Sequence, residues 1–215
     1  MTRTTVMAPT MQRRRLLAAP LILAGSGLLT ACGLSERPYT ERRQWPLIAR
    51  RPAPAPSRTE RARGSRPVLL VRNLRAGPGL EVRGLQTLQA DGSIRTDFYE
   101  EWAAPPAQGA EEALRAWLTE SGLYSAVTAS GSRLEPDQVL EGELTGLWTI
   151  PATNQAHCAV GITIVAQRAS TVRVILQHRF TAEATLAGTS PREAVEAQAA
   201  ALANVLAQVE AALRT

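Results

Sequence analysis

Three successive stretches of alternating apolar and polar residues decide which folds are open to this chain. In QVLEGELTGLW, residues 138–148, Leu140, Leu144 and Trp148 share one face while Glu141, Glu143 and Thr145 share the other. In HCAVGITIVAQ, residues 157–167, Cys158, Val160, Ile162, Ile164 and Ala166 alternate with smaller or more polar residues. In TVRVILQHRF, residues 171–180, Val172, Val174, Leu176, His178 and Phe180 alternate with Arg173, Gln177 and Arg179. Successive strand side chains point to opposite faces, so each stretch predicts a strand with one face to bury. Burying that face takes a second layer.

Two helices supply it. Ser190-Pro191-Arg192-Glu193 is a capping box with proline at the first helical position, and Val195, Ala199, Leu202, Leu206, Val209 and Leu213 then form one apolar stripe. In AEEALRAWLTESG, residues 110–122, Leu114, Trp117 and Leu118 form another, with Gly122 placed to end the helix. Upstream, PVLLVRNL, residues 67–74, reads as a buried strand. Strand-like Leu85–Gln89 and Ser93–Tyr99 flank Asp91-Gly92, which predicts a type I′ hairpin, with Ile94, Thr96 and Phe98 on one face of the second strand. The expectation is an α+β, two-layer sandwich: about six strands in a mostly antiparallel or mixed sheet, with two helices on one face.

The N-terminus reads as a targeting segment. Arg13, Arg14 and Arg15 precede an apolar run over 16–29 interrupted by Pro20, Gly25 and Gly27. A membrane-crossing helix needs roughly 20 apolar residues, so this run suits a secretory signal instead. Leu29, Thr30, Ala31 and Cys32 resemble the bacterial lipobox. That resemblance implies removal of residues 1–31 and a mature chain that begins at a covalently lipidated Cys32, the thiol carrying diacylglycerol and the amine an acyl chain such as palmitate. Several acyl chains on one residue make a stable anchor where a single chain holds only marginally. Gly33, where an inner-membrane retention signal would place Asp, implies the periplasmic side of the outer membrane.

The net charge of +5 dissolves on subdivision, which removes the case for a nucleic-acid partner. Residues 33–83 hold twelve arginines against four acids, and residues 84–215 hold eight against fifteen. The basic part includes ARRPAPAPSRTERARGSRP, residues 49–67, which has almost no large apolar side chain and reads as an extended spacer, either near anionic head groups or in solution. The expected organisation is a signal peptide over 1–31, an Arg/Pro-rich tether over 32–66 with a short strand over 45–49, and a folded domain over 67–215.

Nothing in the sequence carries catalytic chemistry. With Cys32 lipidated, Cys158 has no cysteine partner, and neither a disulfide nor a metal pair is expected. The chain has no GxSxG, GxxxxGK[ST] or HExxH. His157 and His178 lie on opposite parities of different strands, and His178 reads as a core or edge histidine. Asp97, Glu100 and Glu101 cluster near Trp102 like a glycosidase pair, but solvated acids at a hairpin end explain them more simply. No catalytic residue, metal ligand or cofactor is assigned beyond the lipid on Cys32.

The order of these motifs resembles the ABC-type transport auxiliary lipoproteins, which include the outer-membrane lipoprotein of the Pqi system. The likeness rests on the lipobox, on Tyr39 and Trp45, on VLLVRNLRAGPGLEVRGLQ, DFYEEWAAPP, LRAWLTESGLYSAV and LEGELTGLW, and on the capped last helix, and spans roughly residues 39–213. It implies a non-enzymatic lipoprotein that docks or caps a periplasmic conduit formed by an MCE-domain protein, with an ABC permease and ATPase as further partners. An envelope assembly lipoprotein that binds an outer-membrane protein and, more remotely, a periplasmic hydrolase remain open readings. Tyr99 and Trp102 are candidates for the partner-binding surface, since exposed aromatic groups are typical interface anchors. The competing reading has Trp102 capping the core beneath the first helix.

Overall fold

The computed structural model describes residues 39–51, 66–168 and 171–214. The signal peptide and lipobox, Cys32 included, lie outside the described residues, as do residues 52–65 of the expected tether. Among the described residues, nine strands form one mixed sheet: β1 (Arg43–Trp45), β2 (Val68–Val71), β3 (Arg75–Ala76), β4 (Gly84–Leu88), β5 (Ile94–Trp102), β6 (Ala126–Ala129), β7 (Gln138–Ile150), β8 (Gln155–Arg168) and β9 (Thr171–Thr185). Two helices, α1 (Pro106–Ser121) and α2 (Pro191–Arg214), cover it. The α+β class is as expected, but the sheet is larger than six strands. Beyond those six and the short strand foreseen over 45–49, which falls at β1, the additions β3 and β6 are two and four residues long, too short to show a period of two.

The long strand β7 organises the sheet. One of its edges pairs antiparallel with β8, which pairs antiparallel with β9. The other edge pairs in parallel with β2, β3 and β4 in turn. Beyond β2 lies β6, and beyond β4 lie β5 and then β1. The sheet therefore has β9 at one margin and β6 and β1 at the other.

Two bulges correct the faces expected from simple alternation. On β7, Leu144 opposes Val160 and Gly146 opposes Ala159, which leaves Thr145 as the extra residue. Such an insertion reverses the parity beyond it. Leu140 and Leu144 stay in the core, Leu147 and Thr149 join them, and Trp148 turns to the opposite face, where it stacks on His157 at 5.1 Å. On β9, Ile175 is unpaired between the Ile164–Leu176 and Val165–Val174 partners. Leu176 and Phe180 consequently face the helices, whereas Val172 and Val174 face away and are exposed. On β8 the expected face holds, with Cys158, Val160, Ile162 and Ile164 all buried.

The hairpin between β4 and β5 also differs in detail. Of its turn residues only Gly92 has a positive φ, 85°, and Gly92 N–H donates to Gln89 O while Gln89 N–H donates to Ser93 O. This is a longer turn that ends in a left-handed glycine, not the type I′ turn, which needs positive φ at both central residues.

Both helices end as the sequence indicates. Helix α1 begins at Pro106, four residues before the apolar stripe is legible, buries Leu114, Trp117 and Leu118, and stops at Gly122 with φ 68°. At the start of α2, Glu193 Oε2 accepts from Ser190 N–H at 2.9 Å and Ser190 Oγ accepts from Glu193 N–H at 3.3 Å, closing the capping box. Its stripe of Val195, Leu202, Val205, Leu206 and Val209 lies buried in one core with α1 and the inner faces of β7, β8 and β9. Among the described residues, no helix is long and apolar enough to cross a membrane.

Candidate docking surface

The two aromatic candidates part company. Trp102 is 2% exposed and belongs to the core, the capping position weighed against it above, whereas Tyr99 is 43% exposed. The register of β4 and β5 explains why. Gly84 opposes Glu101 and Gln86 opposes Thr96, so the single residue Leu85 faces four residues of β5, 97–100. The surplus forms a knuckle, held by Asp97 Oδ1, which accepts from the N–H groups of Tyr99 at 2.8 Å and Glu100 at 3.0 Å. A bulge of this kind re-aims side chains. Here it presents Phe98, 64% exposed, beside Tyr99, with the rings edge to face at 5.1 Å. The Arg42 guanidinium lies 4.0 Å from the Phe98 ring centre.

Gly84 makes the knuckle feasible. A Cβ there would lie 2.2 Å from the Asp97 carbonyl oxygen, a backbone atom with no room to retreat. Gly84→Ala is expected to destabilise the domain by about 1–3 kcal/mol through this overpacking. Urea unfolding would measure the loss, and a value indistinguishable from wild type would sink this account of the knuckle.

The nearby acids are occupied rather than solvated. Glu100 is buried, accepts from Trp45 Nε1 at 2.7 Å and pairs with Arg43 at 2.6 Å. Glu101 accepts from Arg83 and from Gln44 Nε2, and these bonds, Arg83 first, hold its carboxyl below the ordinary value. All three partners on β1, Arg43, Gln44 and Trp45, come from the stretch expected as tether, where the short strand foreseen over 45–49 falls at Arg43–Trp45. Two acids engaged in this way position β1 against β5.

Residues 46–51 continue across α1. Leu47 packs against Gly109, and Arg51 ends the stretch in a cluster at the C-terminal end of the helix. Its guanidinium lies 4.3 Å from the Trp117 ring centre, pairs with Glu210 at 2.7 Å and donates to Trp117 O at 2.7 Å. Trp117 Nε1 and Arg214 also donate to Glu210, at 2.7 and 2.6 Å. Burial pushes the Glu210 carboxyl up, but the bonds from Arg214, Arg51 and Trp117 outweigh it and hold the group below its ordinary value. Arg214 and Arg66 donate to Ser121 O and Gly122 O, so two arginines serve carbonyls at the end of α1 that have no helical partner, and Arg51 adds a bond to Trp117 O one turn earlier.

On the face of the sheet away from the helices, a groove of about 920 Å³ is crossed by the Arg75–Glu143 pair, 3.1 Å apart, and the Arg72–Glu141 pair, with Arg179 on its far wall. The β9 margin is finished unevenly. Asn204 Nδ2 and Gln208 Nε2 on α2 donate to the carbonyls of Glu183 and Thr181, while Val172, Val174 and Ile175 at the other end of the strand are exposed.

The remaining reactive groups are quiet. Cys158 is fully buried, and burial pushes its thiol up to about 12. Desolvation lowers the pKa of His157 against the Trp148 ring. His178 is an exposed edge residue set against Phe180 at 4.7 Å. Among the described residues, no group of three or more His, Cys, Asp or Glu is placed to hold a metal ion.

The knuckle and the Arg51 cluster were missed in the sequence. Arg42 and Arg51 carry no periodic signal, and Phe98 reads as one more residue on the face of Ile94 and Thr96, with nothing in the sequence to mark the bulge that turns it out.

A family model described as "ABC-type transport auxiliary lipoprotein component" matches residues 50–210. No curated protein matches the chain. Among solved structures, the chain is similar to an uncharacterized protein at 18% identity, with 80% of this chain and 98% of that one covered and a TM-score of 0.59. It is also similar to protein XCC0632 from Xanthomonas campestris at 17% identity, with 79% and 90% covered and a TM-score of 0.59. At these identities the shared feature is the fold.

Proposed function

Because the chain belongs to the ABC-type transport auxiliary lipoprotein family, we propose that it is a non-catalytic docking or capping component of an intermembrane lipid transporter. In this reading Cys32 carries the lipid that holds the protein to the periplasmic face of the outer membrane. The partner is an MCE-domain conduit powered by an ABC permease and ATPase. The observation that carries the reading is the family match over 50–210, most of the folded domain. It is supported by the state of the reactive groups: the one described cysteine is buried with its thiol at about 12, and the acids of the knuckle are tied up by Arg43 and Arg83. The surface offered to the conduit is the β9 margin with exposed Val172 and Val174, together with the groove on the open face to which Gln177 and Arg179 of the same strand contribute.

The test is affinity capture of full-length protein, tagged at the C-terminus, from native-host membranes in mild detergent, beside Cys32→Ala. Recovery of an MCE-domain protein with its permease is the expected result, together with release of Cys32→Ala from the outer-membrane fraction. Recovery of an outer-membrane barrel instead would overturn the transport reading in favour of an assembly role.

A further inference from the structure

We infer that the Phe98–Tyr99 knuckle with Arg42 is a membrane-contacting site, seated in the head-group region of the bilayer that holds the lipid anchor. The inference rests on the reading of Cys32 as that anchor and adds a second, non-covalent contact. Two aromatic rings stand exposed at one point of the sheet, pushed out by a bulge that Gly84 and Asp97 are built to hold. Aromatic side chains with a polar tip, such as Tyr99, favour the water–lipid boundary, where ring and hydroxyl are both accommodated. The Arg42 guanidinium against Phe98 adds a planar cation of the kind that binds phosphate oxygens.

Chain length chooses the lipid surface over other occupants. Arg42 is the residue immediately before β1 and lies ten residues downstream of Cys32. Ten residues span at most about 36 Å when fully extended. The knuckle lies on β5, paired directly with β1, so it is among the parts of the domain that the anchor holds closest to the bilayer. Another exposed apolar group, Val172, Val174 and Ile175, belongs to β9, at the opposite margin of the sheet. A protein partner reaching across from another membrane meets that margin first, and the knuckle last.

Site-specific fluorescence tests this on the full-length lipidated protein in vesicles of phosphatidylethanolamine and phosphatidylglycerol. Phe98→Cys, Tyr99→Cys and Val174→Cys each add one accessible thiol for an NBD label, since Cys158 is 0% exposed and the Cys32 thiol is consumed by its lipid. Flotation with the vesicles is read first. The expected result is a blue-shifted label at 98 or 99, quenched by head-group nitroxide lipids about twofold more strongly than at 174. Flotation without quenching at either knuckle position overturns the inference and leaves the anchor intact. A blue shift without quenching gives the knuckle to a protein partner and also overturns it, as does equal quenching at 174. Failure to float overturns the anchor reading, and the inference with it.

Discussion

Glu210→Ala is expected to lower the unfolding free energy by about 3–5 kcal/mol, the usual cost of removing one member of a buried ion pair. The carboxylate accepts from Arg51, Arg214 and Trp117, so its loss strands an indole N–H inside the core and leaves a guanidinium that is 13% exposed at the side chain with only Trp117 O and the more exposed Glu120. Domains of ordinary size are stable by only about 5–15 kcal/mol, so the loss is a large part of the whole. Glu210→Gln keeps an acceptor and should cost less. The folded carboxyl is held below its ordinary value of 4.5, so its contribution is complete above that pH and is lost as pH falls through the lower folded value. Urea titrations at neutral and acidic pH should show the gap between wild type and Glu210→Gln narrowing on the acid side. A loss under about 1 kcal/mol for the alanine variant at neutral pH would show that the cluster does not hold the domain together.

Trp102→Ala and Tyr99→Ala are expected to diverge, although the residues are three apart in sequence. Trp102 fills the core beside Trp45, its partner across the β1–β5 ladder, and truncation should cost about 3–5 kcal/mol. Tyr99 is 43% exposed on the knuckle, and its truncation should stay within about 0.5 kcal/mol. Circular dichroism with thermal melts separates them. Equal losses would mean that the knuckle is part of the packed domain and not a free surface.

The sequence made the long elements legible and the special geometry illegible, for a physical reason. Helix α2 carries its capping box and stripe within a few residues of one another, and both survive in the fold. Strand β8 alternates without interruption and its buried face is as read. Strands β7 and β9 each contain one unpaired residue, Thr145 and Ile175, and a single insertion reverses every side chain beyond it, so Trp148, Val172 and Val174 change faces. Periodicity cannot announce where its own phase will slip. The knuckle was hidden in the same way: Tyr99 and Trp102 look like neighbours on a hairpin end until the β4 register shows that three surplus residues separate their environments. The Arg51 cluster depends on contacts 66 residues apart with Trp117, which no local pattern encodes.

The arginines at the end of α1 also tie together parts of the chain that are far apart in sequence. Arg51 and Arg66 both donate to carbonyls there, Trp117 O and Gly122 O, so the chain departs from and returns to one place on the domain. The stretch from Arg43 to Arg51, expected as tether, is therefore held to the packed domain at both of its ends, by the β1–β5 ladder and by Arg51.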